Sequence, residues 1–398
     1  MGTRIAAGIL WKANGLSEES LSRLLLSKNP DPSVDSSFKL GTAAQVPSDD
    51  GVRDALLQWN SFEFEAEAAS KKMVATALRS FEEWDNHPHG RALAGVPPVA
   101  LVKVADAPKR VVSGPYSRPL EGIRALDLTR VLAGPVCGRT LAAHGADVLL
   151  VTSPKLPALP RVDIDTSRGK RTTQLDLTDQ SDCNRLASLV KDADVFLQAY
   201  RPGGLKDKGF GVDDVVNMRP GIVYASLTAY GWEGPWKGRR GTATGFNVAE
   251  ASAYAIYKGQ TDEPPLPPKA LPMQALDHAA GYLLAFGINA ALCKTITDGG
   301  SWEVRVSLAA VGQWIRSLGL LEPSVAFGKG TPVPPRVLPQ VPEIAKLAVR
   351  VTQSGMKIAE GPRREMTAIQ HAAVLSVTPV KEDSEAPMVL DAHAAEWA

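Results

Sequence analysis

Hydrophobic and polar positions divide the chain into a patchy front, a regular middle and a proline-punctuated end. Between residues 120 and 310, short apolar runs bounded by glycine and proline alternate with stretches of helical periodicity. The runs predict strands over 123–128, 147–151, 172–177, 194–198, 222–227 and 302–306, and the periodic stretches predict helices over 134–143, 180–191, 212–218 and 273–292. This alternation is βαβ punctuation, for which mostly parallel strands with helices on both faces are the economical architecture. The expected fold is therefore α/β, a Rossmann-like open and mostly parallel sheet flanked by helices, with ligands at the carboxyl ends of its strands.

Ahead of this region, Val52, Ala55, Leu56, Trp59 and Phe62 recur at helical spacing, and Ser80-Phe-Glu-Glu83 is a capping box opening a second helix into Trp84. The two helices are expected to pack through their tryptophans. A Gly95-Val-Pro turn then feeds a short β-rich run ending at Val104, and 115–119 reads as a linker. At 398 residues the chain is longer than one core usually supports. It divides into a poorly determined segment 1–50, a smaller α+β domain 51–117, the Rossmann-like domain 118–310, and a Pro-rich tail 311–398 that wraps the surface.

The 44 Lys+Arg and 43 Asp+Glu nearly cancel, so overall charge points to neither nucleic acid nor a membrane surface, and any anion site is local. Cys137, Cys183 and Cys293 lack paired spacing, which argues against a disulfide framework or a zinc site and fits a reducing compartment, with the cytoplasm as the default. The start, Met1-Gly-Thr-Arg-Ile-Ala6, has no signal-peptide or myristoylation pattern. The end is not a peroxisomal tripeptide, although a mitochondrial or peroxisomal site stays open. Asp277, His278 and Asn289 make the apolar stretch 273–292 a buried helix rather than a membrane span.

Four strand-end loops carry candidate chemistry. In Thr129-Arg-Val-Leu-Ala-Gly-Pro135, Gly134 and Pro135 start a helix whose amides suit a phosphate or thioester oxygen, although an isolated Gly-Pro is more often an ordinary turn. Ser167-Arg-Gly-Lys-Arg171 sets Arg168, Lys170 and Arg171 at a strand entrance, as a phosphate clamp or a solvated edge. After the strand over 194–198, Tyr200 is placed to stack an adenine and Arg201 to pair a phosphate; the plainer alternative is a turn whose tyrosine caps the core. The Gly- and Trp-rich loop from Tyr230 to Gly241 is of the kind that covers active sites.

In this order the loops resemble the class III CoA-transferase family, which includes formyl-CoA and carnitine-related CoA-transferases and has α-methylacyl-CoA racemase as a relative. The resemblance is carried by 120–135, Gly145-Ala-Asp-Val148, Arg168-Gly-Lys-Arg171, Leu175-Asp-Leu177, Asp192-Ala-Asp-Val195, Arg201-Pro-Gly203, 231–241, 276–287 and 304–308. It implies coenzyme A or acyl-CoA as substrate with no permanently bound cofactor and no metal, a small carboxylic acid as second substrate, and an interlocked homodimer. It also implies that Arg130, Gly134, Pro135, Arg168, Lys170, Arg171, Tyr200 and Arg201 line the CoA site. Trp84 and Gly95-Val-Pro-Pro-Val99 resemble the family's small domain, placed here in front, like the end of an upstream copy in a duplicated polypeptide.

In the family a single aspartate attacks the acyl-CoA thioester to form a mixed anhydride. It ordinarily follows the tryptophan loop, yet here Gly241 is followed by Thr242-Ala-Thr-Gly-Phe-Asn247, with no aspartate. No catalytic residue is therefore assigned, and Glu250 is only a weak substitute. The racemase alternative fares no better, since neither His nor Asp occurs between Gly241 and Glu250. A non-catalytic CoA-binding or dimer-scaffold homologue, and a gene product with a short deletion between 241 and 242, are the other readings. A second departure is Thr152-Ser-Pro154, where relatives carry an acidic residue and an arginine; likewise Ala199 replaces an Asn.

Overall fold

The computed structural model describes residues 56–71, 73–239, 241, 248–249, 269–271, 274–326, 340–354, 364–373, 375–380, 385–387 and 389–398. The first 55 residues, the segment 242–247 and Glu250 lie outside the described residues.

Among the described residues, helical Leu56 and Leu57 are followed by three short helices: α1 (Ser61–Ser70), α2 (Phe81–Asn86) and α3 (Pro88–Ala92). Each begins on a side-chain cap. Asn60 accepts from the amides of Phe62 and Glu63, Ser80 and Glu83 form the expected reciprocal box, and His87 accepts from the His89 amide. Of the helical spacing read over 52–62, Leu56 and Leu57 are helical and 52–55 lie outside the described residues, while Asn60 caps a further helix, and Trp59 meets Phe64 edge-on at 5.6 Å rather than Trp84.

The main body runs β1 (Ala100–Ala105), β2 (Arg124–Leu128), α4 (Ala133–Ala143), β3 (Asp147–Thr152), α5 (Pro160–Thr166), β4 (Arg171–Gln174), α6 (Gln180–Lys191), β5 (Val195–Gln198), α7 (Val212–Met218) and β6 (Val223–Thr228). A short antiparallel pair, β7 (Val248–Ala249) and β8 (Lys269–Ala270), precedes α8 (Ala275–Thr297), β9 (Ser301–Ser307) and α9 (Leu308–Ser317). One seven-stranded sheet has the order β1-β9-β6-β5-β2-β3-β4, parallel throughout except where β1 runs against β9. The front segment therefore contributes the edge strand of the main sheet. The other six follow the doubly wound order, in which winding reverses between β2 and β5 and leaves a crevice beyond their carboxyl ends.

The strands are apolar because both faces are covered. On one side Ala125, Val195, Leu197, Val223 and Val304 meet α4 and α8; on the other Leu126, Phe196 and Tyr224 meet α6 and α7. Close approach of α8 to α4 requires Gly281, since a Cβ there would stand 2.5 Å from the Ala133 carbonyl oxygen. Leu276, Ala280, Leu284, Ile288 and Ala291 bury the stripe of α8 that faces this layer.

The tail carries more order than its weak periodicity predicts. β10 (Ala348–Ser354) pairs antiparallel with β11 (Arg364–Ile369) and parallel with β12 (Ala386–Pro387). The last ten residues then lie along β4: the Thr172 amide donates to His393 Nδ1 at 3.1 Å, the His393 amide to the Thr172 carbonyl at 2.9 Å, and Trp397 Nε1 to the Leu189 carbonyl at 3.2 Å. An edge strand that would otherwise offer open hydrogen-bonding groups is covered.

Candidate functional site

At the crevice, the chain leaving β2 makes a sharp turn into α4. Val131 is held at φ 73°, a left-handed conformation that a β-branched residue adopts only under constraint. Leu132 caps α4 without a side-chain acceptor, so the helix N-terminus carries its positive dipole end uncapped. A narrow cleft of about 20 Å³ lies against this turn, lined by Thr129, Arg130, Pro135, Ser153, Asp163 and, from the tail, Leu390.

Arg130 reaches along the cleft and donates from Nη2 to the Pro157 carbonyl at 2.6 Å. Burial pulls its guanidinium below the ordinary arginine range, opposed by Tyr200 and Asp163. Asp163 is the one carboxylate in the lining; it accepts from the Leu159 amide at 2.6 Å, and burial holds its carboxyl above the usual range, opposed by that amide, Arg130 and Lys170. Across the switch point, the Tyr200 amide donates to Gln198 Oε1 at 2.9 Å, and burial pushes its phenol up. Arg130 and Pro135 line the cleft itself, Gly134 lies in the same turn, Tyr200 comes from the loop after β5 within electrostatic reach of Arg130, and Arg201 is exposed beside it.

The three cations of 168–171 do not form one clamp. Backbone direction and three waiting carboxylates send them apart. Arg168 pairs with Asp165 at 3.2 Å and donates to the Ile369 carbonyl of β11 at 3.3 Å. Lys170 turns inward with its side chain wholly buried, 2.7 Å from Asp127 Oδ2 and 2.9 Å from the Pro135 carbonyl oxygen. Burial lowers its pKa and the Asp127 charge opposes this. Arg171 pairs with Asp147 at 2.9 Å and donates to the Glu396 carbonyl at 2.6 Å, at the amino end of the strands and away from the cleft. Arg168, Lys170 and Arg171 are absent from the cleft lining, each being engaged with its own carboxylate.

Sequence reasoning passed over Asp127, Thr129, Val131 and Asp163. The signal for the first was present, because an aspartate inside an otherwise apolar strand must find a buried cation or lose its charge.

The loop after β6 forms a second corner at the same end of the sheet. Trp236 is buried beside Trp84 at 5.8 Å and Tyr230 at 5.1 Å, with Arg79 and Arg239 over its ring at 5.2 and 4.6 Å. His89 is fully buried at the centre. The Trp236 amide donates to its Nδ1 at 3.2 Å, which assigns the proton to Nε2, donating to the Tyr230 carbonyl at 2.9 Å. Burial, with help from His87 and Arg239 against the Tyr230 hydrogen bond, lowers its pKa to about 4. Among the described residues no group of three or more His, Cys, Asp or Glu gathers to hold a metal ion.

The sequence pattern of CoA-transferase family III matches residues 120–386. Over 213 residues the chain is 36% identical to the acetyl-coenzyme A transferase nodX of Hypoxylon pulicicidum, covering 51% of this chain and 34% of nodX. It is 34% identical over 211 residues to the probable fatty acyl-CoA transferase Rv3272 of Mycobacterium tuberculosis, covering 49% of this chain and 52% of that one. The chain thus spans about a third to about half the length of these curated relatives. An aspartate-to-alanine mutant of Rv3272, a solved structure, is similar in fold at a TM-score of 0.50 and 23% identity over 67% of this chain and 95% of that one.

Proposed function

Because the chain belongs to CoA-transferase family III, we propose that it binds acyl-coenzyme A in the crevice between the β2 and β5 loops. The observation that carries this reading is the convergence there of Arg130, the uncapped start of α4 and Tyr200, at the switch point of a doubly wound sheet. Arg130 and Arg201 take phosphate oxygens, the α4 amides the thioester or a phosphate, and Tyr200 the adenine edge. Coenzyme A is then a substrate and not a resident cofactor.

The reaction proposed with it is exchange of CoA between an acyl-CoA and a small carboxylic acid in a homodimer. A second reading, a CoA-binding subunit without transfer activity, is favoured by one observation: no aspartate stands between Gly241 and Glu250. Calorimetry with CoA and exchange assays from succinyl-CoA into a panel of acids separate the two. CoA binding with turnover supports the transferase, and binding without turnover supports the second reading. A folded protein that does not bind CoA sinks both. Arg130→Ala is expected to weaken CoA about ten- to a hundredfold, the range of a charge-assisted hydrogen bond. A monomer in sedimentation overturns the homodimer.

A further inference from the structure

Beneath the turn that carries Arg130 lies a buried ion pair. Asp127 Oδ2 and Lys170 Nζ are 2.7 Å apart and both side chains are wholly enclosed. The remaining bonds of the pair go to the two ends of the turn. Thr129 Oγ1 donates to Asp127 Oδ1 at 2.5 Å, and Lys170 Nζ donates to the Pro135 carbonyl at 2.9 Å. What lies between is the segment with Arg130, left-handed Val131 and the start of α4. Two glycines make room: a Cβ on Gly138 would stand 2.0 Å from Asp127 Oδ2 and 2.9 Å from Lys170 Nζ, and one on Gly134 2.5 Å from the Thr129 Cβ.

A buried pair of this kind is weak evidence of stability, because desolvating two charges costs about as much as their attraction returns, and apolar residues of equal volume serve as well. It does fix geometry. Strained backbone survives only where its surroundings over-determine it, and here both ends of the strained turn are tied to one rigid ion pair.

We infer that Asp127 and Lys170 are positioning residues that hold residues 129–135 in the shape that presents Arg130 and the α4 amides to the ligand. The inference rests on the CoA-binding reading for its functional half only. Its structural half is measurable without ligand.

The test uses the full chain and four proteins: wild type, Lys170→Met, the double variant Asp127→Leu with Lys170→Met, and that double variant carrying Arg130→Ala. The single variant leaves a buried carboxylate unpaired and is expected to melt early. The double variant, apolar and of equal shape, is expected to regain the wild-type melting temperature within a few degrees. Two properties should nevertheless stay altered in it. Amide hydrogen exchange over 129–136 should rise at least about tenfold while 139–143 stays protected, and CoA affinity should stay at least about tenfold weaker, the scale of one lost charge-assisted contact. Adding Arg130→Ala to the double variant should cost less than about twofold more, because Arg130 is already misplaced. If exchange over 129–136 in the refolded double variant matches wild type, the positioning role is overturned, whatever CoA does. If exchange rises but CoA affinity returns to the wild-type value, the turn is positioned by the pair but does not bind the ligand. If wild type is folded and does not bind CoA, the functional reading fails while the exchange result still decides the structural one.

Discussion

The corner after β2 and the corner after β6 are both loops leaving parallel strands at the same end of one sheet, and they are held by opposite means. The first is pinned by a buried ion pair and stays open, with a strained turn, Arg130 and the start of α4 against a cleft. The second is packed shut by rings, and its buried histidine, His89, has both nitrogens satisfied by neighbouring backbone. Aromatic packing is forgiving of small shifts. A polar pin fixes a position and leaves the adjoining helix end to a ligand. The open corner is accordingly where binding is expected, and the aromatic corner is where the front segment is fastened to the main sheet.

The sharpest way to break this comparison is to damage each corner and read stability and binding separately. Trp236→Ala removes a ring packed against Trp84, His89 and Tyr230, and is expected to cost about 3–5 kcal/mol in urea unfolding. Whatever remains folded should bind CoA within about twofold of wild type, since none of the residues proposed to bind CoA lies in this corner. Gly138→Ala is expected to cost about 3 kcal/mol, because its Cβ meets a carboxylate that cannot move without unpairing Lys170. In that variant CoA binding should fall as well. If Trp236→Ala alone abolishes CoA binding in folded protein, the division between the corners is wrong.

The next largest effect is a pH dependence confined to the closed corner. His89 titrates at about 4 in the folded chain, against an ordinary value of 6.5. Below 6.5 the unfolded chain takes up a proton that the folded chain refuses, so stability from this site is complete above pH 6.5 and lost as pH falls towards 4. The loss should reach about 2–3 kcal/mol. Asparagine carries both a donor and an acceptor but does not titrate, so the stability difference between wild type and His89→Asn should change by that amount over the window. A constant difference would show that His89 takes up its proton equally in the folded and unfolded chain, and that burial does not lower its pKa.

These corners were unequally legible in the sequence. The strands and helices of 120–310 were readable because short strand-like runs bounded by glycine and proline alternate there with helical periodicity; α6 and α7 fall on the residues expected, 180–191 and 212–218. The capping box at Ser80 was equally plain, because it needs only local groups. The turn at 129–135 was found through Gly134 and Pro135, which signal backbone geometry directly. What could not be read was which cation goes where. Arg168, Lys170 and Arg171 are alike in sequence, and their fates are set by Asp165, Asp127 and Asp147, which only the folded sheet brings near. The partnership of Trp84 with Trp236 rather than Trp59 is a contact across 152 positions, again outside local pattern. The β strands of the tail were missed because the strands of this small sheet are largely exposed and carry little of the apolar pattern that identified the core.

The smallest expected effect isolates backbone geometry in the open corner. Val131 pays about 1–2 kcal/mol for a left-handed conformation that glycine adopts freely. Val131→Gly relieves this but gives the unfolded chain more freedom, worth about 0.5–1 kcal/mol in the other direction, so stability should change by no more than about 1 kcal/mol and towards gain. Affinity should move the opposite way. A glycine lets the turn sample other shapes, and the ligand must then supply the ordering that Asp127 and Lys170 otherwise supply in advance, so CoA should bind a few-fold more weakly. Urea melts and calorimetry on one protein preparation measure both. A variant that loses more than about 1 kcal/mol would show that the valine side chain is held by packing, and strain would then have no part in how the turn is built.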